Sequence, residues 1–208
     1  ADGAARPNTA RDLGQALALV TGLAGTGFHF YNVLKRPGGW SWLNLFYGAP
    51  IGAPVALSLA GMLGGLAERL RGGGRAICGL LPGRLIARLV ALGLLGASGE
   101  AALMHFRGAY HNPAMAIPVA APPIAAALLI AATLSPGWTG AARGSLRVLT
   151  GVGLLGAAFH AYGIQRSMGG WGNWSQNILN GPPLPAPPAF TALAIAGLAA
   201  LKLLDGER

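Results

Sequence analysis

Phe28-His29-Phe30-Tyr31 is followed by Gly38-Gly39-Trp40, and 131 residues later Phe159-His160-Ala161-Tyr162 is followed by Gly169-Gly170-Trp171. Past a two-residue insertion the register resumes, with Asn44, Gly48, Pro50, Ala53 and Pro54 matching Asn177, Gly181, Pro183, Ala186 and Pro187. Each copy lies between two long apolar runs. An apolar run, an aromatic and glycine-rich connection and a proline-led apolar run read as one helical hairpin, and the recurrence decides the architecture. The middle of the chain carries a looser copy. There Met104-His105-Phe106 takes the histidine position and Ile117-Pro118-Val119 the place of Ala53-Pro54-Val55.

Outward from these motifs the apolar runs fall at 13–34, 52–68, 85–106, 115–134, 147–165 and 188–204. Hydrophobic residues make up 53% of the 208 and charged residues 10%, where an ordinary soluble domain carries about 25% charged. Six spans of ~20 residues fit this length with short connections. Pro54, Pro118 and Pro187 stand near helix starts, where a missing N–H costs nothing. The fold class is therefore all-α integral membrane, one membrane domain over 1–208. Six transmembrane helices form three parallel hairpin repeats, 13–68, 85–134 and 147–204, around a pseudo-axis along the membrane normal. Soluble enzymes, coiled coils and disordered tails do not fit. The opening ADGAARPNTARDL is too polar for the apolar region of a signal peptide.

The net charge of +9 does not point to nucleic acid, because the basic residues cluster in short connections instead of interleaving with aromatics on one surface. Arg6, Arg11, Arg69, Arg71, Arg75, Arg84, Arg88, Arg143, Arg147, Lys202 and Arg208 fall on one side of the predicted spans, and Lys35, Arg36, Arg107 and Arg166 on the other. The excess of basic residues marks the cytoplasmic side. Both termini are then cytoplasmic, loops 35–51, 107–114 and 166–187 face outward, and a bacterial inner membrane is the expected home. The single cysteine, Cys78, has no second Cys or His at ligand spacing and reads as a reduced, incidental thiol. The small pairs Gly22 with Thr26, Gly61 with Gly65 and Gly153 with Ala157 read as faces where helix backbones approach closely.

The residues able to carry chemistry gather at the outer side. His29, His105 and His160 end the odd-numbered helices, with Tyr31 and Tyr162 beside two of them, and His111 lies in the middle outer loop. Converging imidazoles can hydrogen-bond a quinone carbonyl or hold a metal, and haem fits least, because no helix carries a suitably spaced histidine pair. The plainer reading is that these rings sit at the headgroup boundary. Glu100 lies inside the third span and needs a partner there. Its repeat equivalents, Ala24 and Leu155, are apolar. The sequence suggests coupling of Glu100 to His105, although a separation of five residues sets the two ~7.5 Å apart along the helix and ~140° around it, so any link needs an intermediary. Trp40, Trp42, Trp171 and Trp174 fall in outer loops among Asn44, Asn173, Gln176 and Asn177, a surface suited to anchoring at the interface or to docking a partner.

No nucleophile elbow, P-loop, dinucleotide fingerprint or HExxH is present. The expected function is a non-catalytic membrane subunit that anchors a periplasmic redox or electron-transfer partner, with quinone access near His29, His105, His160 and Glu100, and with Trp40, Trp42, Trp171, Trp174 and His111 meeting the partner. A small-solute transporter or channel lined by the same residues is the alternative.

Overall fold

A computed structural model describes residues 8–74 and 79–207. Cys78 lies outside the described residues, as do Arg6, Arg75 and Arg208 of the basic set. The described chain is helical, with no strand among the described residues. Its helices are α1 (Thr9–Leu34), α2 (Trp42–Phe46), α3 (Gly52–Arg71), α4 (Pro82–Arg107), α5 (Ile117–Leu134), α6 (Thr139–Arg166), α7 (Trp174–Asn177) and α8 (Ala186–Gly206). The starts follow local chemistry. The Asn8 side chain accepts the Arg11 N–H at 3.1 Å to cap α1, and Pro82 opens α4 where its missing N–H is not needed.

Five helical stretches are long and apolar enough to cross a membrane: Thr9–Leu34, Pro82–Arg107, Pro113–Leu134, Pro136–Arg166 and Ala186–Gly206. The chain is thus a multi-pass membrane protein. The sixth long helix, α3, is 20 residues long but is diluted by glycines and ends in Glu68, Arg69 and Arg71. Helix α6 starts at Thr139, ahead of the apolar run at 147, because charge ends an apolar run without ending a helix: Arg143 pairs with Asp205 of α8 at 2.8 Å.

The most extensive contacts join α1 to α3, α4 to α5 and α6 to α8. A buried core lies among α4, α5, α6 and α8, built from Val90, Leu94, Leu129, Leu146, Leu149 and Leu201 with many alanines. From the first hairpin Leu66 joins this cluster with Leu63 and Leu70 packed against it, and among the described residues α1 contributes nothing to it. Between apolar helices in lipid there is little hydrophobic drive, so close backbone approach matters more. At Gly22 a Cβ would strike Ser58 and the Pro54 carbonyl, and at Gly153 one would strike Thr191 and the Pro187 carbonyl. Gly65 meets nothing within 4 Å, so the predicted Gly61–Gly65 packing pair reduces to Gly61, which lies against the α1 backbone at Gln15 and Leu19.

Two prolines, Pro122 and Pro123, fall inside α5. A proline leaves the carbonyl four residues earlier without its helical N–H. For Pro123 that carbonyl is Val119, and the buried Ser98 hydroxyl of α4 donates to it at 2.8 Å. In a membrane this is how a broken ladder is made good.

Candidate functional site

The same proline chemistry shapes two of the histidines. Pro54 has no N–H to offer the Pro50 carbonyl, and Pro187 has none for Pro183. His29 Nδ1 lies 2.5 Å from the Pro50 carbonyl oxygen and His160 Nδ1 lies 2.8 Å from that of Pro183. In the middle hairpin His105 Nδ1 lies 2.8 Å from the Met115 carbonyl oxygen. A carbonyl can only accept, so each Nδ1 carries a proton and donates. Each ring thereby ties the end of one helix to the approach of the next, and in the neutral ring Nε2 keeps its lone pair. His111 makes a local contact, Nδ1 to the Gly108 carbonyl oxygen at 3.1 Å.

Tyr31 and Tyr162 follow their histidines by two residues, which on a helix turns them ~200° away. They are 60% and 63% exposed. Tyr31 instead carries the Lys35 ammonium 5.3 Å from its ring centre. Sequence reasoning grouped these tyrosines with the histidines, and helical geometry separates them. Among the described residues no three of His, Cys, Asp and Glu gather where they could hold a metal ion.

Glu100 does not pair with His105. Its Oε2 accepts the Gly52 N–H, at the start of α3, at 2.5 Å. Its Oε1 is buried and has no partner among the described residues. A Cβ on Gly52 would collide with this carboxylate, so glycine is what admits it. Glu100 thus joins the first hairpin to α4. His105 is turned to Met115 and to the ring of Tyr110, 6.1 Å between centroids.

The tryptophan loops share one internal scaffold. Asn44 Nδ2 donates to the carbonyls of Pro37 and Gly39, at 3.0 and 2.7 Å. Asn177 Nδ2 donates to those of Met168 and Gly170, at 3.0 and 2.8 Å. Gly38 and Gly39 have φ of 85° and 54°, and Gly169 and Gly170 have 79° and 47°. Two successive left-handed residues favour glycine, which fits the repeated glycine pair, whereas the middle loop holds Ala109 and Tyr110 at φ of 57° and 46°. On this frame Trp40, Trp42, Trp171 and Trp174 all stay exposed. Trp40 stacks on Phe30 at 5.5 Å, and Ala161 at the corresponding place in the third hairpin offers no such ring. Phe46 meets Phe106 of α4 edge-on at 5.8 Å, with the Arg107 guanidinium 6.0 Å from its ring centre. This brings the tip of the first hairpin beside the end of α4.

Comparison with family models, with curated proteins and with solved structures finds no match for this chain.

Proposed function

We propose that the chain is a non-catalytic membrane subunit that anchors a periplasmic redox or electron-transfer partner. In this reading all six long helices span a bacterial inner membrane, with both termini cytoplasmic. The three hairpins are parallel repeats about an axis along the membrane normal, and their tips form the outer face. The observation that carries the reading is the pair of tip loops. Asn44 and Asn177 hold each loop by the same two bonds, and the exposed face so held is tryptophan. A rigid, aromatic surface with few full charges loses little entropy on docking. The apolar filling between α4, α5, α6 and α8 supports an anchor over a transport path, because solute sites need polar lining near the midplane. Quinone access belongs to the same end, where the histidines and Glu100 lie.

Purification in mild detergent tests this. A stoichiometric redox protein should accompany the wild type and be lost when Trp42 and Trp174 are both changed to Ala. A chain that runs alone from native membranes, with no redox protein in any mild detergent, contradicts the anchor role.

A further inference from the structure

None of the chain's six acidic residues falls in a tip loop: 35–51, 107–114 and 166–187 hold no Asp or Glu. At the opposite end carboxylates answer the basic residues, with Glu68 between Arg11 and Arg71 and Asp205 on Arg143 at 2.8 Å. At the tips Lys35, Arg36, Arg107 and Arg166 are all exposed, and none makes an ion pair among the described residues. The helix dipole favours a cation at a helix end, which accounts for where Lys35, Arg107 and Arg166 stand, but it offsets only part of a full charge.

Three of these cations share one patch. Asn44 folds the turn at Pro37 and Gly39 onto α2, and that turn follows directly on Lys35 and Arg36. Within α2 Trp42 lies against Phe46 at 5.9 Å, and Phe46 reaches the Arg107 guanidinium of α4. The Lys35 ammonium rests over the Tyr31 ring. Such rings orient a cation without neutralising it. In the third tip Ser167 and Leu179 stand where the first has Arg36 and Phe46, so Arg166 is that loop's one basic residue.

We propose that this patch, Lys35, Arg36 and Arg107 around Trp42, docks an acidic surface of a protein partner. This rests on the anchor reading above and gives the partner of that face its charge. A few exposed charges of one sign steer the encounter and set its register, and the exposed ring of Trp42 supplies contact area at the centre. The bonded loop frame favours a protein over a lipid phosphate, because a mobile headgroup needs no fixed frame.

The test is cross-linking in spheroplasts with a zero-length carbodiimide, which joins an amine to a carboxylate as an amide. Lys35 is the amine of this patch, and the chain's other lysine, Lys202, lies near the far end of α8. Lys35 should be found joined to an Asp or Glu of a second protein. The yield should fall at least ~10-fold between ~0.02 and ~0.5 M salt, as screening removes the attraction. Lys35→Arg should abolish the amide while the partner still co-purifies. Arg36→Gln with Arg107→Gln leaves the Lys35 amine in place and should lower the yield by ~10-fold. No protein amide at Lys35 in the wild type overturns the proposal, with or without anionic phospholipid retained in its place. A yield that salt leaves unchanged also overturns it, and neither arm needs a variant to fold. Unchanged yield in the folded double variant does the same. A redox protein that co-purifies without an amide at Lys35 removes the acidic docking surface and leaves the anchor. A salt-sensitive amide to a protein without a redox centre removes the redox anchor and leaves the docking patch.

Discussion

The first and third hairpins share their tips down to the bonds of Asn44 and Asn177 and of His29 and His160, but they are used differently. The third is built into the core: α8 packs on α4 as well as on α6, and Leu146, Leu149 and Leu201 are fully buried. The first stands at the side. Helix α1 packs mainly on α3, buries only Gly22 and Val33, and leaves Leu13, Leu17, Val20 and Leu23 exposed. Its ties to the rest are Leu63, Leu66 and Leu70 of α3 on the core, Glu100 on Gly52, and Phe46 on Phe106. A tip that recurs in two such different settings is maintained by its own bonds, not by its neighbours. The side position leaves Glu100 on Gly52 as the side-chain hydrogen bond from α4 to the first hairpin, beside the Phe46–Phe106 ring contact.

Breaking the two hairpins at equivalent glycines should separate their roles most widely. Gly153→Leu drives a side chain into Thr191 and the Pro187 carbonyl, inside the core hairpin. Overpacking of this kind costs ~1–3 kcal/mol or more, and the whole bundle should melt at lower temperature. Gly22→Leu makes the matching clash with Ser58 and the Pro54 carbonyl. Here hydrogen exchange should rise in α1 and α3 while α4, α5, α6 and α8 keep wild-type protection. Equal protection loss throughout would show that the first hairpin is as integral as the third.

The asparagines give a smaller effect. Asn177 is buried and Asn44 is less so. Asn177→Ala should cost ~2 kcal/mol and Asn44→Ala ~1 kcal/mol, from two lost bonds each in different surroundings. Tryptophan emission should shift to the red in both. An unchanged spectrum would mean that the loops do not need these ties.

Much of this was readable beforehand, for a physical reason. Identical residues in matched order make identical bonds, so the matched asparagines and glycine pairs announce the loop geometry across the two-residue insertion between them. The histidine ties were also within reach: a proline four residues after a carbonyl withholds the helical N–H from it, and Pro50 with Pro54, like Pro183 with Pro187, marks where an imidazole can serve, at Pro183 beside the Ala186 N–H. Glu100 was not readable. It lies outside the repeat and meets Gly52 across 48 positions of chain, and no local pattern encodes such a pairing. Its suggested partner His105 was closer in sequence, but lies on the wrong face of its own helix. The early start of α6 was hidden too, because Arg143 stands ahead of the apolar run at 147 while the helix already begins at Thr139.

The smallest effect concerns the ties themselves. His160→Ala should lower stability by ~0.6–1 kcal/mol, the usual weight of one interhelical hydrogen bond in a membrane, and His160→Asn should recover most of it by keeping a donor near Nδ1. The same pair at position 29 should show the same rescue for stability, measured by thermal melting. A rescue at one position and not the other would break the equivalence of the two hairpins.

The central claim is that the two tryptophan tips lie on one side of the membrane, facing away from the termini. Single cysteines at Ser41 and Ser175, in a chain with Cys78 replaced by Ser, should both react with an impermeant thiol reagent applied to intact cells. A cysteine at Asp205 should react only after the cells are opened. Labelling of positions 41 and 175 from opposite sides would contradict the parallel arrangement, and labelling of position 205 in intact cells would invert the orientation.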